Sequence, residues 1–422
     1  MDQSSSESIF APFRERLFST LWIAAFISNI GTWMQNVGVG WLAATMSASP
    51  LMISLIQTAS SLPALFVSYP AGVISDHSDR RRLLILLQIF LFVVVMILSV
   101  LTQLRLLDIH LLIFFTFLIG IGSAFNTPVW QAITPEVVSK QRLRGAIALN
   151  GVNFNLARAV GPALGGIILT IGGIKSIFLF NAVSFLVLGA GLYKWQNKVT
   201  TFNSPQFRRE AADGLRAVAK SNPFKHLLVR TISFTAFVSI IFAFLPQLSK
   251  YEWKQDSGQY TCLWVSLGIG ALVGSYLYGV WSKRSSASRV VLLSCEIVAV
   301  CIFALTQTHN FYLLNAIMFI AGIGWINATS TLNVLAQQHS PTAFKGRFLA
   351  VNVTVFQGTL ALSSVLWGYL SNSLSTLAVM KIAAIGMVLF CGVLAFFPLE
   401  ENEMVDSGSI ACSDPLIQYH IK

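Results

Sequence analysis

The residues best placed to do chemistry share one short loop: Gly72, Asp76, Arg80 and Arg81, within the segment Ala71 to Leu86. Two acids, Asp76 and Asp79, stand beside three arginines, Arg80 to Arg82, between long apolar runs. So short a loop forces its flanking helices to lie antiparallel and in contact. Basic residues are retained on the cytoplasmic side of a membrane, so the arginines fix the loop there. Gly72 removes side-chain bulk where its helix must approach a neighbour. The chemistry on offer is ion pairing that forms and breaks at a membrane edge, a conformational latch. A topology anchor with solvated charges is the competing reading.

Arg158 is the second candidate. An ionised side chain inside an apolar run is expensive and normally meets a partner or a wet cavity. As a cavity cation it would attract a carboxylate, a catecholate or another electron-rich group. As a structural residue it would bond helix-end carbonyls or polar side chains. Acids able to carry a proton are few: Asp76 and Glu136 at the cytoplasmic ends of their helices, and Glu296 about two turns inside another run, where it can snorkel. The apolar runs hold no metal-ligand cluster and no nucleophile–base set, and the chain has no phosphate-binding P-loop. An enzyme, a resident metal or cofactor, and ATP hydrolysis within the chain are therefore not expected.

The elements that position these residues are helices in a bilayer. The chain has 422 residues, 55% of them hydrophobic and only 11% charged, with a mean hydropathy of +0.69. A soluble domain carries about 25% charged residues. Apolar runs fall at roughly 18–44, 51–74, 83–103, 110–133, 146–171, 175–195, 228–248, 259–281, 289–307, 311–335, 348–371 and 376–398. The spacing predicts an all-α membrane protein with twelve transmembrane helices. Basic residues cluster in alternate loops, so the net charge of +11 reports orientation rather than a nucleic-acid partner. Both termini are expected in the cytoplasm. The start, MDQSSSESIF, has no basic n-region and reads as no cleavable signal peptide. Cys262, Cys295, Cys301, Cys391 and Cys412 are odd in number, without metal spacing, and read as packing residues.

The sequence repeats. An offset of 202 residues pairs Gly120 with Gly322, Gly122 with Gly324, Asn150 with Asn352, Phe154 with Phe356 and Gly166 with Gly368. It also brings Gly72 onto Gly274 and Arg82 onto Arg284. A constant offset across several spans predicts two pseudo-symmetric six-helix halves, the pattern of transporters that bind substrate between halves and rock around it. The expected organisation is an N-terminal half over 1–195, a cytoplasmic linker with a short amphipathic helix over 196–225, a C-terminal half over 226–398 and a cytoplasmic tail over 399–422. The repeat also bears on the loop. Opposite Asp76 and Asp79 stand Tyr278 and Trp281, whereas Lys283 and Arg284 keep the positive charge. Anchoring needs only the basic residues, so the acids of the first half favour the latch.

Across its whole membrane region the chain resembles the major facilitator superfamily. Gly72, Asp76, Arg80 and Arg81 meet that superfamily's loop motif, with His77 where an arginine is common. Gly161, Pro162, Gly165 and Gly166 resemble its antiporter-associated motif in the fifth span. The strings WMQNVGVGWL, SDHSDRRRLL and IALNGVNFNLARAVGPALGG resemble the bacterial transmembrane secretion effector branch, which includes enterobactin-type siderophore exporters and macrolide-type efflux proteins. The resemblance implies the major facilitator fold and an export role in the bacterial inner membrane.

It further implies a central cavity lined by the first, fourth, seventh and tenth spans, with contributions from the fifth, eighth and eleventh. Asn29, Trp33, Gln35, Asn126, Trp130, Phe154, Arg158, Trp325, Asn327 and Gln357 then become cavity candidates. Amides and rings suit a bulky amphiphile, while packing and interhelical amide bonds are the plainer account of each. Proton antiport also follows from the resemblance. Yet the first span has no acid, and Thr116 stands where many drug/proton antiporters carry an arginine. The leading expectation is proton-driven export of a small amphiphilic molecule, a siderophore first and an anionic substrate among the options, with handover to a periplasmic or outer-membrane component. Multidrug or macrolide-type efflux is the alternative, and a transport-inactive receptor or assembly protein the alternative of another class.

Overall fold

Lipid offers the backbone no hydrogen-bond partners, so long apolar runs can cross it only as helices. The computed structural model describes residues 8–195, 207–281, 285–341 and 345–395, and among them every regular element is helical. In chain order these are α1 (Arg16–Met46), α2 (Pro50–His77), α3 (Arg80–Gln103), α4 (Ile109–Val137), α5 (Leu143–Tyr193), α6 (Phe207–Lys220), α7 (Asn222–Gln247), α8 (Ser257–Trp281), α9 (Ala287–Leu305), α10 (Phe311–Gln338), α11 (Lys345–Leu370) and α12 (Thr376–Ala395). Pro50 opens α2 and Ser49 caps it; Asp79 and Asp108 cap α3 and α4 in the same way.

Eleven helices are long and apolar enough to span, one fewer than the twelve expected. The difference is α5, which contains two crossings. At Gly173 the backbone takes φ 70° and ψ 179°, a conformation open to glycine, and the chain reverses. Contacts with α1 show the reversal. The first arm climbs it, with Asn153 against Trp22 and Asn29, then Gly161 against Trp33, then Gly165 against Met34. The second arm descends it, with Ile177 against Gly38, Asn181 against Gln35, and Gly191 against Leu21 and Ala24.

The two halves repeat in their packing as well as in their sequence. Gly120 lets α4 settle on the α2 backbone, where a Cβ would lie 2.8 Å from the Ser60 carbonyl; Gly322 does the same for α10 on α8 at the Leu267 carbonyl. Gly122 admits Leu91 of α3, and Gly324 admits Val298 of α9. Between the halves, α6 is a strongly amphipathic helix and Asn222 already belongs to α7. The surroundings of Gly72 and the side chain of Asp76, both on the last turns of α2, lie outside the described residues, as do 196–206, Lys283, Arg284 and the tail over 399–422.

These glycines give a stability prediction. Gly322→Ala places a methyl against backbone that cannot yield, and should cost about 1–3 kcal/mol. Its thermal midpoint in detergent should fall, whereas Gly279→Ala, whose Cβ meets nothing within 4 Å, should leave the midpoint unchanged.

Candidate functional site

The halves meet along two helix pairs. α2 lies along α11, where Thr58 Oγ1 donates to the Ala361 carbonyl at 3.0 Å and Gly368 rests on Ser54. α5 lies along α8, where Gly166 rests on Thr261 and a Cβ on Gly268 would stand 2.8 Å from the Ala159 Cα. Between these pairs, Trp41 of α1 stacks on Tyr260 of α8 at 5.4 Å, and Tyr251 Oη donates to the Ala44 carbonyl at 2.9 Å. All these contacts sit toward the end remote from the α2–α3 loop. Toward the loop end, α5 carries an uncovered stripe at Ile147, Gly151 and Phe154. A Cβ on Gly151 would meet nothing within 4 Å. At that end α6 bridges the halves, with Gly214 seated against Arg347 of α11 and the Tyr69 hydroxyl of α2.

Arg158 ends the α5 stripe. Its guanidinium carbon lies 5.1 Å from the Trp33 ring, 4.8 Å from Phe154 and 4.3 Å from Trp325. Trp33 and Phe154 belong to one half and Trp325 to the other, so the cation is held between them. Each such contact is worth about 0.5–2 kcal/mol, more as water is excluded. Nη1 donates to Asn155 Oδ1 at 3.4 Å, and the buried Nε has no partner. Among the described residues no carboxylate pairs with Arg158. The ring run continues from Trp325 to Phe242 at 5.4 Å and on to Trp264 at 5.8 Å. Phe242 and Trp264 escaped the sequence reading because nothing in their spacing separates a cavity ring from a packing ring.

The glycine motif makes the arrangement reachable. Gly161 and Gly165 bring α1 against α5, since a Cβ on Gly161 would fall 2.5 Å from the Trp33 Cβ. Gly166 turns the other way and admits α8. Pro162 is buried and helical, so the break in α5 falls at Gly173 and not at the proline.

Most of the predicted amides tie helices together. Asn29 Nδ2 donates to Asn153 Oδ1 at 2.9 Å, and Asn153 in turn donates to the Trp22 carbonyl. Gln35 accepts from Asn181 at 2.7 Å, and Asn126 accepts from Gln88 at 2.9 Å. Trp130 lines a small apolar void with Phe18, Leu21 and Trp22. Asn327 is fully buried, donating to the Ile323 carbonyl, and Gln357 is half-buried on α11. The structure thus gathers Trp33, Phe154, Arg158 and Trp325 into one cluster and places the amides in the seams around it.

The loop arginines cap helix ends. Arg80 pairs with Glu136 at 2.5 Å and reaches the Ala132 carbonyl of α4 at 3.3 Å. Arg81 donates to the Leu192 and Tyr193 carbonyls, at 3.1 and 2.6 Å, where α5 ends. Cations belong at helix C-termini, where carbonyls lack partners. Arg82 pairs with Asp79 and is largely exposed. Glu296 stands on the exposed face of α9 with Leu293, Val300 and Phe303. Arg81→Ala should accordingly lower the thermal midpoint of the purified protein by a few degrees, the equivalent of about 1–2 kcal/mol. Arg82→Ala should leave the midpoint where it is.

Comparison with known proteins places this geometry. The model of the transmembrane secretion effector family matches residues 7–422. The staphyloferrin A transporter of Staphylococcus aureus is 23% identical over 381 residues, covering 89% of this chain and 94% of that protein. The enterobactin exporter EntS of Salmonella choleraesuis is 24% identical over 400 residues, covering 91% and 92%. The macrolide efflux protein A of Streptococcus pyogenes is 20% identical over 360 residues, covering 83% and 88%. Among solved structures, a bacterial homologue of the human lysosomal transporter Spinster superposes with a TM-score of 0.70 at 14% identity, over 92% of this chain and 96% of that one.

Proposed function

We infer the function from one premise: the chain belongs to the transmembrane secretion effector family, within the major facilitator superfamily. It is a multi-pass membrane transporter and not an enzyme. On the reading proposed here it exports a small amphiphilic molecule across the bacterial cytoplasmic membrane, by alternating access and in exchange for protons. A siderophore is the leading substrate, passed on to a periplasmic or outer-membrane component. The observation that carries this reading is the uneven contact of α5 with the second half. Trp41 on Tyr260, Gly166 on Thr261 and Gly368 on Ser54 close one end, while the stripe leading to Arg158 lies uncovered toward the end with the arginine-rich loop. Because basic residues are retained on the cytoplasmic side, that end and both termini are read as cytoplasmic in this proposal. An exporter takes up its cargo in this conformation.

Closing the basic end would require the loop region to meet the second half, and there the Asp76 latch enters the proposal. Glu136, already paired with Arg80, is the neighbouring acid through which a proton could change the loop's charge balance. Glu296, exposed on the outer face of α9, is the weaker proton-coupling candidate. Macrolide-type efflux is the second reading, supported by the streptococcal relative.

Deleting the gene in an iron-starved producing strain should trap the secreted chelator inside cells and deplete it from the medium. Unchanged chelator levels, with heightened sensitivity to hydrophobic antibiotics, would replace the siderophore reading with drug efflux. Chelator secretion should also stop when a protonophore is added. Asp76→Asn should abolish secretion while membrane insertion stays normal, and full secretion by that variant would reduce the loop to a topology anchor.

A further inference from the structure

We propose that Arg158, Trp33, Phe154 and Trp325 form a binding site for an anionic group that presents two neighbouring oxygens, a carboxylate or a catecholate, on an apolar body. The inference rests on the exporter reading and specifies the cargo of the same cleft. Three rings lie against the guanidinium, from both halves of the molecule. Rings stack on the faces of a guanidinium, whereas its five N–H groups point outward in the plane. Cation–π attraction from the three rings holds the guanidinium in place. Asn155 takes Nη1 at 3.4 Å, and the buried Nε is left without an acceptor. The edge shared by Nε and Nη2 is the one that grips two oxygens side by side.

A second donor stands beside it. The Trp325 ring lies over the guanidinium, and its buried Nε1–H has no acceptor either. Leaving buried donors unmade costs free energy, and a buried charge without a counter-charge costs more. The two unpartnered groups, Arg158 Nε and Trp325 Nε1, are thus both donors, one of them on a cation, and the missing component is an acceptor with negative charge. Ligand amines or ammonium groups would add donors and like charge. Phe154, 45% exposed on the open stripe, offers an apolar face to the remainder of the ligand. These features discriminate between the two candidate cargoes, because they suit an acidic chelator and oppose a basic drug.

The test uses four probes that share one ring system: 1-naphthoate, 2,3-dihydroxynaphthalene held at a pH where it ionises, neutral 1-naphthamide, and cationic 1-naphthylmethylammonium. Binding to the full-length protein in detergent is read from tryptophan fluorescence. The carboxylate, the catecholate or both should bind about tenfold tighter than the amide, and the ammonium probe weakest of all. Which of the two anions gains identifies the oxygen group. Arg158→Gln should erase the preference while the amide's affinity stays within about twofold, and Arg158→Lys should recover only part of it, since lysine lacks the two-donor edge.

Where Arg158→Gln is not monodisperse, Trp325→Phe serves instead: it keeps a ring and removes the N–H, and should weaken the anions alone by a few fold. Equal affinity of wild-type protein for the anions and the amide overturns the proposal, as does a variant that weakens all probes alike. Gene-dependent chelator secretion in cells, without an anion preference in the purified protein, would sink this site and leave the exporter reading standing. An anion preference without such secretion would do the opposite.

Discussion

The constraint on which the structure depends is that helices in lipid gain little from burying apolar surface against one another, because lipid tails are equally apolar. What remains is close approach, and here it is set by glycine. Gly120 and Gly322 lay α4 and α10 against backbone carbonyls, and Gly161 and Gly165 lay α5 against α1. Gly166 and Gly368, equivalent in the repeat, make the corresponding contact between halves, one against Thr261 of α8 and the other against Ser54 of α2. At these two points the inter-half seams use the same device, small residue against small polar residue, while Gly268 meets Ala159 and Gly358 of α11 admits Leu65 of α2. Small-on-small contacts can separate and close again without repacking a core, which is what rocking halves require.

Polar groups divide into two kinds on the same basis. Amides that find each other within a half, such as Asn29 with Asn153 and Gln35 with Asn181, hold that half as a rigid body. Arg80 and Arg81 do likewise at the loop end, where they take up carbonyls that α4 and α5 leave open. Arg158 belongs to neither group. Its contacts run to both halves and its hydrogen-bonding edge is unfinished. A mobile seam and a rigid half thus meet at a cation with which, among the described residues, no carboxylate pairs.

How much of this was legible in the sequence follows from what a membrane helix encodes. Depth is legible, because hydropathy and loop charge fix where a span begins and ends; the predicted turn between residues 171 and 175 encloses the Gly173 reversal. The repeat is legible because close approach needs glycine at equivalent positions. The direction a side chain faces is not, because the lipid side and the protein side of a span are both apolar and no hydrophobic stripe distinguishes them. The bonds of Asn29, Gln35 and Asn126 therefore run to neighbouring helices, and that of Asn327 runs back to Ile323 on its own helix, none of which hydropathy reveals. Arg158 stood out because charge is rare enough in a span to carry information alone, whereas Phe242 and Trp264 were lost among the 31 phenylalanines and 10 tryptophans of the chain.

The repeat finally sharpens the meaning of Arg158. Its counterpart at the offset of 202 is Leu360, although the neighbouring Phe154 and Gly166 keep their equivalents in Phe356 and Gly368. Features common to both halves, the glycines and the seam contacts, are those that packing and rocking need from each half equally. A feature confined to one half cannot be explained by those needs. The loop acids opposite Tyr278 and Trp281, and the cation opposite Leu360, are among the places where the first half departs from the second by gaining charge. A cargo is not two-fold symmetric, and a site that receives it between pseudo-symmetric halves must break their symmetry. The departure at Arg158 lies between the halves, at the inner end of the open stripe, where that break is required.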